Sequence, residues 1–275
     1  MFALGADHAV PPAVQCVARQ TWRNGSATTG ERILAEEVPV AFSYDGATHA
    51  VLMATPDDLD DFALGFSYTE RIIITPAEIA ELAVVSVADG IVLRMWLTGA
   101  RADAFAARRR RVVGPAGCGM CGLESLAEAN RTIPTVGCHF QVSRQDIAEA
   151  VAALPARQQL NTQTRAVHAA AFWRPDQGLV LREDVGRHNA LDKLAGALMR
   201  TGSPAAEGVI VLSSRISIEL VQKVAMMGTA IIVGVSAPTA LAVRTAEMAG
   251  LTLVGIARDD GFEVFTHPER ITRYW

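Results

Sequence analysis

The chain has 275 residues, half of them apolar, which is enough for one large domain or two unequal ones. Its net charge of −4 gives no general attraction to nucleic acid or to an anionic membrane. No stretch reaches the roughly 18 uncharged apolar residues of a membrane span, and residues 1–12 lack a positively charged leader. We therefore expect a globular cytoplasmic protein that binds neither nucleic acid nor membranes.

The first 113 residues divide into two parts by their patterns. Residues 1–30 mix Pro, Gly, Ser, Thr and Asn without periodicity, which predicts a flexible arm. Residues 31–113 show two hairpin signals, Asp45-Gly46 and Asp89-Gly90, with a helical pattern behind the acidic pair Asp57-Asp58. This second stretch predicts a small α+β part.

A glycine-rich segment, residues 114–140, contains three of the four cysteines. Cys118 and Cys121 lie among four glycines, which let the backbone approach a partner closely. Arginines nearby and a helix after the segment would favour the thiolate, the form of cysteine that accepts sulfur as a persulfide. The segment therefore predicts reactive thiols. The run Arg108–Arg111 before it is interpreted as a solvated edge strand, or alternatively as a docking site for a phosphate-rich ligand.

A structural zinc site is the main alternative for these cysteines. Cys118 and Cys121 with Cys138 and His139 supply four candidate ligands. The number and spacing of these residues favour a structural zinc site and a reactive thiol about equally. Against zinc, the adjacent Cys138 and His139 cannot easily both point inward on a strand. A thioredoxin-like pair lacks a preceding βαβ unit. A zinc deaminase is excluded because Gly117 replaces the proline of its signature and no general-acid glutamate is in place. We expect no metal here.

Residues 141–275 show the alternation of an α/β core domain. Uninterrupted apolar strands span residues 208–213, 230–235 and 251–257. They alternate with helical patterns at residues 189–200, 217–227 and 238–249. Such a pattern predicts parallel strands with right-handed crossovers and helices on both faces of the sheet. The predicted fold is therefore α/β, a three-layer mixed sheet with a small N-terminal α+β part.

Polar and cationic residues follow the ends of these strands, where ligands bind in such sheets. Ser213 and Arg215 follow the first strand and Ser236 follows the second, and both loops lead into helices whose free N–H groups favour anions. The third strand leads into Ala257, Arg258, Asp259, Asp260, Gly261 and Phe262. Each serine alone is better explained as a helix cap. Their meeting on one edge with Arg215 and Arg258 predicts an anion or nucleotide site.

A dense polar cluster, residues 183–189, lies where a strand gives way to a helix. Such loops carry function, so Arg187 and His188 are candidate site residues, with His188 a proton donor near neutral pH. The alternative is structural, with Asp184 capping the helix and Arg187 paired with Glu183. His168 lies inside an apolar strand and is expected to be structural.

Five blocks of the sequence carry a resemblance to a known family. The blocks are Gly117-Cys118-Gly119-Met120-Cys121-Gly122, Glu183-Asp184-Val185-Gly186-Arg187-His188-Asn189-Ala190-Leu191-Asp192-Lys193, Ser213-Ser214-Arg215 with Glu219-Leu220-Val221-Gln222-Lys223, Ser236-Ala237-Pro238-Thr239-Ala240-Leu241-Ala242-Val243, and Thr266-His267-Pro268-Glu269-Arg270-Ile271. In order and spacing they closely resemble the FdhD/NarQ family, from about residue 30 to the C-terminus.

The resemblance implies a sulfurtransferase that takes persulfide sulfur from a cysteine desulfurase. The sulfur goes to the bis-molybdopterin guanine dinucleotide cofactor, a bound substrate here, before it enters the formate dehydrogenase catalytic subunit. A cytidine-deaminase-like fold without zinc and a homodimer are also implied. The persulfide maps to Cys118, with Cys121 assisting, and the cofactor-binding stretch maps to residues 257–262. A zinc-stabilised nucleotide-binding or chaperone module without transferase chemistry remains the alternative.

Two departures from the family pattern replace glycines by arginines. Relatives often have Thr-Gly-Gly where this chain has Thr164-Arg165-Ala166, and a glycine where it has Arg71. If those glycines let the backbone approach the cofactor, Arg165 changes that contact. Neither departure touches the cysteine segment.

Overall fold

The computed structural model describes residues 9–112, 133–137 and 140–272, and for residues 107–112 the backbone alone. In these ranges the chain forms a mixed α/β structure with seven α-helices and with sheets of six, four, two and two strands. Cys118, Cys121, Cys138 and His139 lie outside the described residues, so the geometry below concerns the surroundings that the rest of the chain provides.

Strands β1 (Val14–Arg23) and β2 (Ser26–Ala35) form an antiparallel ribbon near the N-terminus. Asn24 and Gly25 make its turn with φ angles of 49° and 78°, the combination that suits a two-residue hairpin. The predicted flexible arm over residues 1–30 is therefore wrong for this stretch. Almost every position of the ribbon is exposed, so its polar composition resembles that of a loose segment, and the Asn-Gly pair is the local signal that distinguishes it.

A four-stranded sheet follows, in the order β4-β3-β6-β5. Its strands are β3 (Val38–Tyr44), β4 (Ala47–Ala54), β5 (Ile79–Val87) and β6 (Gly90–Leu97). Both predicted hairpins are confirmed, and the turn at Asp45-Gly46 has positive φ at both residues. Hydrophobic residues on one face of this sheet pack against the helix that connects its two halves.

That helix, α1 (Leu59–Thr69), is largely buried. The ring of Phe42 on β3 lies 4.9 Å from that of Phe62 and 4.0 Å from that of Phe66, centroid to centroid. These aromatic contacts fix α1 on the sheet. Helix α2 (Gly99–Val112) ends this part of the chain and contains the run Arg108–Arg111. The edge-strand interpretation of the arginines is therefore wrong, and its reason is propensity, since arginine and alanine are good helix formers.

The largest sheet has six strands in the order β13-β12-β11-β10-β8-β9. They are β8 (His168–Arg174), β9 (Gly178–Asp184), β10 (Val209–Leu212), β11 (Ile231–Gly234), β12 (Thr252–Arg258) and β13 (Gly261–Val264). β10, β11 and β12 are parallel as predicted, while β8, β9 and β13 pair antiparallel to their neighbours. All residues of β10 and β11 are buried, which requires cover on both faces.

Helices and one short strand pair complete the core. They are α3 (Arg144–Arg157), α4 (Gln159–Thr164), α5 (Arg187–Thr201), α6 (Ile218–Met227), α7 (Ala240–Ala249), β7 (Val142–Ser143) and β14 (Ile271–Thr272). α5 packs on β8 and β9, α7 packs on β12, and α3 touches β9, β10 and β12. Gly228 and Gly250 end α6 and α7 in left-handed conformations. No helix in the described ranges combines the length and the apolar character that crossing a membrane requires.

Candidate functional site at the carboxyl edge of the sheet

Several loops meet at one edge of the six-stranded sheet. β10, β11 and β12 are parallel, so their carboxyl ends share this edge. Because β8 runs antiparallel to β10 and β9 antiparallel to β8, the start of β8 and the end of β9 lie there too. His168 is paired with Asp184 at this position. The edge therefore collects residues from five strands, in the place where sheets of this kind bind ligands.

A cavity of about 560 Å³ opens at this edge, within the range of about 300–1,000 Å³ that is typical of small-ligand sites. His168, Ser213, Ala257, Arg258 and Asp259 line it together with the end of α3 and with Asn161 of α4. Four of the residues predicted from the sequence are thus brought together around one space. Its lining offers a hydroxyl, a cation and a carboxylate to a bound group.

Ser213 continues the hydrogen bonding of the sheet beyond the end of β10. Its backbone N–H donates to the carbonyl of Ala169 over 3.0 Å, and its Oγ accepts the Ala169 N–H over 2.8 Å. Because Oγ is the acceptor in that bond, the hydroxyl hydrogen remains able to donate. Ser213 is therefore held in place by β8 while keeping a donor at the cavity wall.

His168 contributes an imidazole that the sequence interpretation treated as structural. Burial lowers the pKa of His168, the Arg187 guanidinium lowers it further, and the Asp184 carboxylate opposes the change. The ring is therefore neutral at neutral pH, when it offers one donor and one acceptor. A sequence signal did exist, since His168 begins the strand that pairs with the polar cluster.

The predicted stretch 257–262 is divided between two cavities. β12 ends at Arg258, Asp259 and Asp260 make a turn, and β13 begins at Gly261, so only the middle of the predicted stretch is a loop and one more strand follows it. The chain returns because β13 pairs antiparallel with β12. Asp260, Gly261 and Phe262 line a second cavity of about 630 Å³ with residues that include Arg144 and Glu263.

The backbone is strained just before the first of these cavities. Ile256 has a φ of 52°, a left-handed conformation that a β-branched residue rarely adopts, and the strand pairing is irregular between Gly255 and Arg258. The Ile256 N–H donates to the carbonyl of Ser236 over 3.3 Å. Ser236 therefore supports the bulge through its backbone, next to the point where Ala257 reaches the cavity wall. Strain of this kind clusters at functional sites.

Arg187 and His188 begin helix α5 on the same edge. Arg187 Nε and His188 Nε2 are shielded from solvent and have no hydrogen-bond partner within the described residues. Burial lowers the pKa of His188 to about 4, with Arg187 and Lys223 acting in the same direction. The imidazole is therefore neutral near pH 7, which does not support the predicted proton donor of ordinary pKa. Arg215, in the loop after β10, is exposed.

The rest of the polar cluster joins the two parts of the chain. Asp184 is fully buried, and its Oδ2 lies 2.7 Å from Lys193 Nζ and accepts the Thr55 N–H over 3.0 Å. Its Oδ1 accepts hydrogen bonds from the Gly186 N–H and from Asn189 Nδ2. Asp184 is thus a saturated buried carboxylate that connects α5 to the segment before α1.

A second buried ion pair involves Asp192, the residue directly before Lys193 on α5. Lys223 Nζ lies 2.8 Å from Asp192 Oδ1 and 2.8 Å from Glu70 Oε1, and Thr69 Oγ1 donates to Asp192 Oδ1 over 2.6 Å. Burial acts against the charged ammonium, but the Asp192 and Glu70 carboxylates outweigh it and raise the pKa of Lys223. The ion pair links α5, α6 and the end of α1, so we interpret its role as structural.

Glu183 is also occupied by a structural contact. Its two carboxylate oxygens accept the N–H groups of Leu160 and Asn161 over 2.8 Å each, at the start of α4. Glu183 thus acts as a cap for that helix. Within residues 183–193, the functional candidates that remain are Arg187 and His188.

The described residues also bear on metal binding and on the remaining cysteine. Within them, no group of three His, Cys, Asp or Glu side chains is arranged to hold a metal ion. Cys16 is a free exposed thiol on the ribbon, 3.4 Å from Glu31 Oε2, and that carboxylate raises its pKa. A raised pKa disfavours the reactive thiolate at Cys16.

Comparisons with known proteins extend over almost the whole chain. The model of the family described as FdhD/NarQ matches residues 35–272. A sulfur carrier protein FdhD from Agrobacterium fabrum is 52% identical over 257 residues, covering 93% of this chain and 95% of the relative. One from Brucella abortus is 50% identical over 242 residues, covering 87% and 90%.

A solved structure supports the fold. A crystal structure from Desulfotalea psychrophila, provisionally described as a formate dehydrogenase accessory protein, superposes with a TM-score of 0.74 at 23% sequence identity. The match covers 95% of this chain and 100% of the other. At that identity the likeness concerns the fold. With the family match and the two close relatives, it follows that the chain belongs to the FdhD/NarQ family.

Proposed function

We propose that this protein is a sulfur carrier that receives persulfide sulfur from a cysteine desulfurase and delivers it to bis-molybdopterin guanine dinucleotide for formate dehydrogenase. The observation that carries the proposal is the identity of about half of all residues to relatives named sulfur carrier protein FdhD. The presence of Cys118 and Cys121 in a glycine-rich segment supports it, because sulfur transfer requires a thiolate on a chain that can approach two partners.

Loading is a thiol exchange at sulfur. The Cys118 thiolate attacks the terminal sulfur of the desulfurase persulfide, forming a new S–S bond as the desulfurase S–S bond breaks. The bonding electron pair leaves with the desulfurase thiolate, so the exchange has no net oxidation or reduction. Cys118 then carries the extra sulfur.

Delivery requires the extra sulfur to leave as sulfide, and Cys121 supplies the two electrons. Its thiolate attacks Sγ of Cys118, forming a Cys118–Cys121 disulfide and releasing hydrosulfide. The hydrosulfide replaces an oxygen ligand of the molybdenum in the bound substrate, and that oxygen leaves as hydroxide. A thiol reductant returns both cysteines to the starting state.

The carboxyl edge of the sheet fits part of the proposed substrate. The cavity beside Ser213 and Arg258 has room for one nucleotide-sized group, and Arg187 and Arg215 place further positive charge at the same edge. Unpartnered polar atoms at Arg187 and His188 are suited to hydrogen bonds with a ligand. We propose that this edge holds the guanine dinucleotide part of the cofactor, while Asp260, Gly261 and Phe262 extend the contact around the turn.

The proposal includes a fold and an assembly. We infer cytidine-deaminase-like layering, with α3 on one face of the six-stranded sheet and α5, α6 and α7 on the other, supported by the burial of β10 and β11 from both sides. We further propose a cytoplasmic homodimer that meets a cysteine desulfurase and the formate dehydrogenase catalytic subunit in turn.

Intact-mass measurement tests the sulfur transfer. Incubation of the full chain with a cysteine desulfurase and cysteine is expected to add one sulfur atom, which a thiol reductant removes. Cys118→Ala should gain none, and Cys121→Ala should gain one but release no sulfide. Sulfur found on Cys121 of the Cys118→Ala protein would overturn the choice of residue, and no gain in the unaltered chain would overturn the function.

The zinc-stabilised module stays the alternative, because Cys118, Cys121, Cys138 and His139 still provide four candidate ligands. Metal analysis of the purified chain separates the two proposals. Stoichiometric zinc that is lost in Cys118→Ala or Cys138→Ala would favour the module, since a permanently coordinated thiolate cannot carry sulfur.

A further inference from the structure

Two helices begin side by side at the carboxyl edge, and three polar atoms between them lack partners. Arg187 Nε and His188 Nε2 lie in the first turn of α5, and Ser217 Oγ lies at the N-cap of α6. Each atom is shielded from solvent and makes no hydrogen bond within the described residues. Buried polar atoms in a folded protein are normally paired, so three in one place require an explanation.

Ser217 provides the sharpest of these observations. The residue is only 7% exposed, and its hydroxyl makes no capping bond to the helix that it begins. An N-cap serine normally uses its oxygen to accept a backbone N–H of the first turn. The Ser217 hydroxyl lowers the pKa of the Glu219 carboxyl, but it makes no hydrogen bond of acceptable geometry within the described residues. The Ser217 hydroxyl therefore remains able to donate to a ligand.

The two helix starts are held together by a loose contact. His188 Nε2 lies 3.9 Å from Glu219 Oε2, too far for a hydrogen bond, so the space between the helices is not closed by an internal pair. The His188 side chain is 35% exposed and that of Glu219 is 56% exposed, so the space between the helices borders on solvent. The groups facing this space are a guanidinium and a hydroxyl that can donate, a neutral imidazole that can donate through one of its ring nitrogens, and the Glu219 carboxylate.

We propose that Arg187 Nε–H, His188 Nε2–H and Ser217 Oγ–H form a subsite for phosphate oxygens, of the pyrophosphate class, between the starts of α5 and α6. Helix starts favour anions through their free N–H groups and their dipoles, and the unpartnered donors add specific hydrogen bonds. The subsite rests on the proposed function and deepens it, since it takes the pyrophosphate arm of the guanine dinucleotide substrate. The negative Glu219 carboxylate repels a bound anion, so removal of its charge is expected to strengthen phosphate binding.

Calorimetric titration of the full chain with inorganic pyrophosphate, guanosine diphosphate and guanosine tests the subsite at one salt concentration. Ser217→Ala should weaken pyrophosphate and the diphosphate by the same factor, about tenfold or more, and leave guanosine unchanged. Glu219→Gln should tighten both phosphate ligands by about two- to fivefold. Ser214→Ala is the matched control, because Ser214 is 5% exposed but its hydroxyl already donates to the Arg215 carbonyl.

Three outcomes would overturn the subsite. They are an unaltered chain that binds neither phosphate ligand, a Ser217→Ala protein with unaltered affinity, and a Glu219→Gln protein that binds phosphate more weakly. Sulfur loading of Cys118, measured by mass on the same Ser217→Ala protein, is expected to be normal. It separates failure of the subsite from failure of the carrier function, because loading does not involve the phosphate ligand.

Discussion

Gly65 and Asp192 lie in such close contact that a Cβ added to Gly65 would meet the Asp192 carbonyl oxygen at 1.7 Å. The contact is reciprocal, since a Cβ on Gly196 would meet the carbonyl oxygen of Asp61 at 1.9 Å. Helices α1 and α5 thus touch backbone to backbone, where no side chain fits. This crossing brings Thr69 of α1 within hydrogen-bond reach of Asp192. The glycine contact and the buried ion pair of Asp192 therefore stabilise the same helix crossing.

Gly65→Ala and Gly196→Ala are each expected to reduce the free energy of unfolding by at least about 3 kcal/mol. The added methyl group meets backbone atoms, so the helices must separate and disturb the crossing. Urea unfolding of both variants measures the loss. Gly99→Ala is the matched control, since nothing lies within 4 Å of its added Cβ, and stability there should be unchanged or slightly raised. Equal stability of all three proteins would contradict the backbone contact.

Lys193→Met is expected to cost about 3–5 kcal/mol of unfolding free energy, because it leaves the Asp184 carboxylate buried without its countercharge. The remaining donors to Asp184, from Thr55, Gly186 and Asn189, do not replace the ammonium. Asp176→Asn, which removes the exposed partner of an ion pair with Arg174, should change the same quantity by less than about 1 kcal/mol. Chemical unfolding of the two proteins measures the difference between their free energies of unfolding. Losses of unfolding free energy of similar size in both variants would contradict the stabilising role of the buried pair.

Local patterns in the sequence predict the elements whose signals are themselves local. The alternation of apolar strands and helices after residue 208 predicts β10 to β12 and their helices, and Asp45-Gly46 and Asp89-Gly90 predict both hairpins. The ribbon at residues 14–35 was not predicted from composition. Its strands carry polar residues because they are exposed on both faces, so period-two alternation is weak.

The polar cluster illustrates what local patterns leave undetermined. Residues 183–193 are conspicuous in the sequence, but Asp184 accepts its hydrogen bond from Thr55, 129 positions away, and Lys223 reaches Glu70 from 153 positions away. No periodicity reports such pairs, because tertiary packing decides them. Consequently the sequence identifies a polar cluster, while the structure separates its structural residues from the two candidates, Arg187 and His188, that keep unpartnered atoms.

The two departures from the family pattern lie at backbone positions that suit glycine. Arg165 has a φ of 60° and Arg71 a φ of 59°, both in the left-handed region. At the first position Arg165 is the C-cap of α4, so its backbone conformation alone favours glycine, without any contact to the cofactor.

Arg165→Gly is therefore expected to raise the free energy of unfolding by about 0.5–1 kcal/mol, since it relieves left-handed strain at an exposed residue. Thermal and urea unfolding measure the gain. The neighbouring Ala166→Gly is the control, because its backbone is not left-handed and glycine there should lower stability slightly. A loss of stability in Arg165→Gly would mean that the arginine side chain contributes contacts beyond its backbone conformation.

Acidification is expected to destabilise the fold through His188. Burial lowers its pKa in the folded chain to about 4 from an ordinary value of 6.5. Between these values the unfolded chain binds the proton more readily, so stability rises with pH across this window. The contribution is complete above pH 6.5 and is lost as the pH falls towards 4. His168, whose pKa is also lowered by burial, acts in the same direction.

His188→Gln should therefore make the decline of unfolding free energy between pH 6.5 and 4 shallower than in the unaltered chain. Urea unfolding at closely spaced pH values gives both curves, and pH 8 serves as the internal reference because His188 is neutral there in both states. The side chain is 35% exposed, so solvent reduces the size of the effect, and the test is the sign of the difference in slope. Parallel curves across the window would show that His188 titrates in the folded chain as it does in the unfolded one, and a steeper curve for the variant would reverse the assignment.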